Sequence, residues 1–121
     1  MTPFGQKLRD LRAARGLTLK EMAAALHVTP AYLSALEHGK RGRPSWRLVQ
    51  AIIGYFNVIW EEAEELERLA HLSDPRVVID TGGLAPEATE AANRLAEEIP
   101  LMTQGEISRL LALLNERKRR A

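Results

Sequence analysis

The chain has 121 residues, of which 45% are apolar, 27% charged and 5% aromatic, enough for one ordinary domain or one small domain with an appendage but not for two independent cores. It contains no cysteine, which excludes disulfide frameworks, Cys-ligated zinc, iron–sulfur clusters and thiol nucleophiles, and no segment approaches the roughly 20 apolar residues that span a bilayer. The net charge of +1 hides a segregation: residues 1–47 carry nine Lys/Arg against three Asp/Glu, residues 48–116 four against thirteen, and the tail 117–120 four more.

A basic front half joined to an acidic back half suits a polyanion-binding module with a non-binding appendage; a charge-balanced solvated surface is the plainer reading. The N-terminal MTPFGQKLRD has no apolar run of the signal-peptide kind, so the expected location is the cytoplasm.

Apolar spacing predicts helices from the start, with Phe4, Leu8 and Leu11 on one face of a first helix that Gly16 closes. Thr18 and Glu21 form a capping box that opens a second helix, which runs to about Leu26 and buries Met22, Ala23 and Leu26. Thr29-Pro30, an N-cap followed by proline at the first helical position, begins a third helix only about three residues later, ending at His38. After the breaker-rich Gly39-Lys40-Arg41-Gly42-Arg43-Pro44, Ser45 caps a fourth helix with Leu48, Ile52 and Phe56 on one side. A fifth helix spans Trp60 to His71, with Ala63, Leu66 and Ala70 as its apolar stripe.

Arg76 to Thr81 is the only β-branched run, and it reads either as one short strand pairing with the same segment of a second subunit or as an extended linker. Pro86 to Ile99 and a capping box at Thr103 and Glu106 mark two further amphipathic helices. Two helices of this size bury little against each other, so Val77, Val78, Ile79, Leu95, Ile99, Ile107, Leu110, Leu111 and Leu114 are expected to dimerise or dock. The expected division is 1–72 for the front domain and 73–121 for a dimerisation or docking segment. The fold class is mainly α, four or five helices followed by an appendage of one short strand and two helices.

Two short helices joined by His27-Val28-Thr29 within a basic unit have helix-turn-helix spacing. Read as a string, LRDLRAARGLTLKEMAAALHVTPAYLSALEHGKRGRPSWRLVQAIIGYFNV resembles the Xre, or phage lambda-repressor-like, family of DNA-binding proteins over about residues 4–60. The marks are the Leu-Arg-x-x-x-Gly-Leu-Thr before helix 2, the Met-Ala pair within it, Val28-Thr29 at the turn, the Leu-Glu-x-Gly-Lys at the end of helix 3 and Pro44 before helix 4.

The resemblance implies a cytoplasmic, nucleoid-associated regulator, most simply a repressor, that binds a palindromic operator on double-stranded DNA as a homodimer. It places helix 3 in the major groove, with Thr29, Pro30, Ala31, Tyr32, Ser34 and Ala35 outward near its start. None of these is an Arg, Lys, Asn or Gln able to read a base in bidentate fashion, so Ala31 and Ala35 are expected against thymine methyls, while Tyr32 either reads bases or packs. Thr18, Lys20, Lys40, Arg41, Arg43 and Arg47 are the expected phosphate contacts, with Arg43 bordering either the minor groove or the backbone. Arg12 and Glu37 fall where the family commonly has an internal salt bridge, and are assigned a structural role.

An enzyme needs convergent groups, and His27, His38 and His71 stand isolated, with no phosphate loop and no nucleophile motif. No catalytic residue, metal, cofactor or small-molecule effector is expected, and no membrane. The competing reading is an antitoxin-like or adaptor protein whose C-terminal half binds a protein partner.

Overall fold

A computed structural model describes residues 1–121, and local rules set most of its helix ends. The helices are α1 (Pro3–Ala14), α2 (Leu19–Ala25), α3 (Pro30–Glu37), α4 (Trp46–Phe56), α5 (Trp60–His71), α6 (Pro86–Glu98) and α7 (Gln104–Arg120). The hydroxyls of Thr2, Thr18, Thr29, Ser45 and Thr103 each accept from a backbone amide of the following first turn, satisfying a donor that an α-helix leaves orphaned. Asn57, at φ 54°, ends α4 in the left-handed conformation that asparagine tolerates. Trp60, at φ 47°, opens α5 in the same region, which is uncommon for so bulky a residue.

The chain divides into two compact units, Met1–Val77 and Val78–Ala121. In the first, α1 packs on α3 and α5, α2 on α3, and α4 on α5. Phe4, Leu8, Met22, Leu33, Ile52 and Leu66 are fully buried at the centre. Each such side chain contributes about 1.5–3 kcal/mol of burial free energy, so the periodicity of these helices is what assembles the unit.

Close approach of α1 and α3 requires a glycine. A Cβ on Gly5 would stand 2.3 Å from the Glu37 carbonyl oxygen and 2.7 Å from its Cα, so only a residue without a side chain fits the crossing. Next to it the Thr2 amide donates to that same carbonyl at 3.1 Å. Buried Ser73 joins the far end of α5 to this corner, its Oγ accepting from the Phe4 amide at 2.9 Å while donating to the Leu69 carbonyl.

The run from Arg76 to Thr81 forms no strand, which corrects the sequence expectation. β-branching fits a residue to a strand but supplies no partner backbone, and no other part of the chain is extended to pair with it. Local bonds compete at both ends: Asp74 accepts from the Arg76 amide and Asp80 from the Gly82 amide. Val77, Val78 and Ile79 remain exposed.

In the second unit α6 stops at Glu98 and residues Ile99–Leu101 form a 3-10 turn, one residue short of the expected end. Ile99 keeps a right-handed α backbone, φ −51° and ψ −44°, but Pro100 has no amide to donate, so the α ladder cannot continue through it. No residue of α6 or α7 is buried: Leu95, Ile107 and Leu110 are half-covered, and Ile99, Leu111 and Leu114 are exposed.

Candidate nucleic-acid interface

The turn between α2 and α3 is made by His27 at φ 59°, a left-handed residue that reverses the chain within three positions. The Val28 amide donates to the Ala23 carbonyl at 3.0 Å, and Thr29 then caps α3 by accepting from the Tyr32 amide at 3.0 Å. Leu33 and Leu36 anchor the inner side of α3 in the core. Its outer side follows from that anchoring: Thr29, Pro30 and Ala31 are exposed, and Tyr32, Ser34 and Ala35 are half-buried.

One side of Tyr32 packs on the core, as one of its two sequence expectations had it, and the other lies under the Arg41 guanidinium, 5.5 Å from the ring centroid. The contact has cation–π geometry and draws the basic loop onto the start of α3. His38 donates from Nδ1 to the Ser34 carbonyl at 2.8 Å, folding its ring back along the helix.

Orientation of α3 is set from behind by an ion pair. Arg12 on α1 donates through both terminal nitrogens to the Glu37 carboxylate, at 2.5 and 3.5 Å, and Arg9 approaches it at 3.7 Å. Glu37 is 1% exposed, so it stands among the most deeply buried side chains of the unit.

The loop after α3 turns at Gly39, φ 74°, which the Lys40 amide pins by donating to the Ala35 carbonyl at 2.8 Å. Lys40, Arg41 and Arg43 are exposed along it, buried Pro44 ends it, and Arg47 is exposed in the first turn of α4. Arg43 donates to Nδ1 of His71 at 2.8 Å, a partner that sequence reasoning left isolated. These two, with Trp46 and Glu67, border an open cleft of about 460 Å³ between the start of α4 and the end of α5. Trp46 is 76% exposed there.

At the start of α2 the amide of Thr18 donates to Glu21 at 2.9 Å and the Glu21 amide donates to the Thr18 hydroxyl at 3.0 Å. The Thr18 amide, and secondly its hydroxyl, hold the Glu21 carboxyl below its ordinary value. A carboxylate therefore already occupies part of the helix end that was expected to receive a phosphate. Lys20 is exposed beside it.

A third wall of basic character escaped the sequence reading. Arg76, beyond α5, lines a cleft with Lys40 and Arg41, although 35 positions separate it from Arg41. Its only local signal was a cation in an acidic half of the chain.

A family model described as a helix-turn-helix domain matches residues 3–69. The chain belongs to the Xre-like helix-turn-helix family. Among similar proteins of this family is the "Uncharacterized HTH-type transcriptional regulator RghRB" of Bacillus subtilis (strain 168), 39% identical over 61 residues, which cover 50% of this chain and 44% of that protein. The "HTH-type transcriptional regulator DdrOP3" of Deinococcus deserti is 40% identical over 53 residues, 44% of this chain and 40% of its own length. The "HTH-type transcriptional repressor RghR" of Bacillus subtilis (strain 168) is 34% identical over 61 residues, 50% of this chain and 45% of the repressor. The chain spans less than half the length of the curated relatives it matches. No solved structure gives a significant match to it. No helix is long and apolar enough to cross a membrane.

Proposed function

We propose that the protein is a sequence-specific transcriptional regulator, acting as a repressor, that binds a palindromic operator as a homodimer on nucleoid DNA. The observation that carries this reading is the coupling of Arg41 to Tyr32, which brings a loop with three exposed cations onto the helix that follows the turn. An α-helix fits the major groove, where each base pair presents its own pattern of donors and acceptors. The names of the relatives, transcriptional regulators and a repressor, support the same reading.

In this proposal Thr29, Pro30, Ala31, Tyr32, Ser34 and Ala35 face the bases, with Ala31 admitting close approach. Thr18, Lys20, Lys40, Arg41, Arg43 and Arg47 contact the backbone, and the Arg12–Glu37 pair holds α3 at its angle. Residues 73–121 form the dimerisation segment. Its support is that α6 and α7 bury no residue of their own, and a second copy is the occupant that a two-fold operator demands. Val77, Val78, Ile79, Leu95, Ile99, Ile107, Leu110, Leu111 and Leu114 supply its apolar contacts.

Selection of bound sequences from random DNA, followed by ultracentrifugation of the protein with and without the selected duplex, tests both halves. A palindromic consensus and a dimer are expected. A protein that enriches no sequence overturns the regulator reading, and a full-length monomer that binds DNA as a monomer overturns the homodimer. On the selected operator, Arg41→Ala or Arg47→Ala should weaken binding to operator and random DNA alike, whereas Ala31→Glu should remove operator binding with the fold intact.

A further inference from the structure

The chain beyond α5 does not leave the first unit at once. Asp74, Pro75 and Arg76 pass beside the loop that follows α3, with the Cβ of Pro75 lying 3.7 Å from where a Cβ on Gly39 would stand. Between these two stretches lies an open cleft of about 660 Å³, lined by Gly39, Lys40, Arg41 and Gly42 on one side and by Asp74 to Arg76 on the other.

The charge of this cleft is unbalanced. Lys40, Arg41 and Arg76 contribute three cations and Asp74 one carboxylate, and none of the three cations lies within ion-pair distance of any carboxylate. One oxygen of Asp74 is already engaged by the Arg76 backbone amide at 3.0 Å. Three like charges gathered without neutralisation repel one another in the free protein, and an anion bridging them relieves that repulsion. Arginine forks suit phosphate oxygens in particular.

Arg41 fixes the source of the phosphate. Arg41 lines the cleft and sets its guanidinium over Tyr32 near the start of α3, so an anion held in the cleft sits beside the helix proposed to enter the major groove. We infer that this cleft is a phosphate-binding site, with Arg76 as its third cation, and that a backbone phosphate flanking the operator half-site fills it. The inference rests on the regulator reading. It extends the DNA-contacting surface past the helix-turn-helix to residues 74–76, and so places part of the footprint on the segment that leads into the second unit.

The test compares the full-length wild type with Arg76→Ala, both checked for unchanged melting temperature, on the selected operator and on a duplex trimmed at the outer edge of each half-site. Affinities are measured from 50 to 200 mM salt. Each lost phosphate contact removes about 0.9 from the slope of log K against log salt, so over that range the wild type should lose about 3.5-fold more affinity per subunit than the variant. The difference should vanish on the trimmed duplex. Equal slopes for the two proteins on the long duplex overturn the inference while leaving the regulator reading in place; failure of the wild type to bind any DNA overturns the regulator reading itself. A melting-temperature rise with inorganic pyrophosphate at constant ionic strength, present in the wild type and absent in Arg76→Ala while the DNA slopes stay equal, assigns the cleft to a soluble phosphate and overturns its assignment to DNA.

Discussion

Removing Arg12 tests how α3 is held. Glu37 has a side chain only 2% exposed, and its carboxylate is met by Arg12, itself 14% exposed, and at 3.7 Å by Arg9, which is 49% exposed. In Arg12→Ala the carboxylate stays buried with only the half-solvated Arg9 near it. Breaking a buried pair from one side costs about 3–5 kcal/mol, and the residual Arg9 contact puts this case at the lower end, about 3 kcal/mol. For a unit of this size each kcal/mol moves the melting temperature by about 4–8 °C, so a fall of roughly 12–24 °C is expected. The double variant Arg12→Met, Glu37→Leu removes both charges and should recover most of that loss, because the desolvation that the pair had to overcome disappears with it. Thermal and urea unfolding of the wild type, Arg12→Met, Glu37→Leu and the double variant close a mutant cycle, with Arg12→Ala measured beside them. A cost below 1 kcal/mol for Arg12→Ala, or a double variant no more stable than the worse single one, would refute the argument that losing one partner strands a buried charge at Glu37.

Gly5→Ala should destabilise the first unit by 3 kcal/mol or more, at or beyond the upper end of the ~1–3 kcal/mol range for overpacking, because the added Cβ meets Glu37 backbone at 2.3 Å and not a side chain that can move. Urea denaturation measures it, and a loss within 0.5 kcal/mol would show that the α1–α3 crossing can relax. The two capping boxes predict a shared pH response: hydrogen bonds from Thr18 and Thr103 depress the carboxyls of Glu21 and Glu106, so the stability they contribute is present above the ordinary glutamate range and lost as pH falls through the lowered values. Amide chemical shifts of Thr18 and Thr103 should follow these titrations with midpoints below that of an exposed glutamate, and Glu106→Gln should abolish the response at Thr103 alone.

What the sequence made legible is what short-range rules determine. Thr18 with Glu21, Thr29 with Pro30, Ser45 and the left-handed Asn57 each act within one helical turn, and they mark the helix boundaries where the structure has them. The core was legible for a related reason, since Leu8, Ile52 and Leu66 each belong to an apolar repeat at helical spacing along its own helix, and spacing is all that burial of a helix face requires. The strand at 76–81 failed because propensity describes one chain, whereas a strand is a relation between two. Arg12 and Glu37 came from family resemblance, and Gly5, which makes their approach possible, came from nowhere in the sequence: nothing about a glycine in the first turn of a helix says that another backbone crosses it.

The same limit governs the candidate interface, and it changes where discrimination can come from. Along α3 only Thr29, Tyr32 and Ser34 among the outward residues can hydrogen-bond. Thr29 Oγ1 already accepts the cap hydrogen bond, which leaves its O–H to donate, and Tyr32 is held between the core and Arg41. Under the proposed function, a helix so short of polar readers leaves more of the task to DNA shape and to the loop, whose positive groups would respond to groove width and backbone position and not to base edges. That loop is fixed at points far apart in sequence: Arg41 to Tyr32, Arg43 to His71 28 residues on, and Gly39 against Pro75. The first two ties fix a cation relative to the rigid helices and the third holds the start of the loop, so the arrangement of charge is a property of the folded unit, and shape readout needs charge held in a defined arrangement. The residues that hold it, His71 and Pro75 among them, have no motif of their own because their role exists only once α5 has folded back beside the loop.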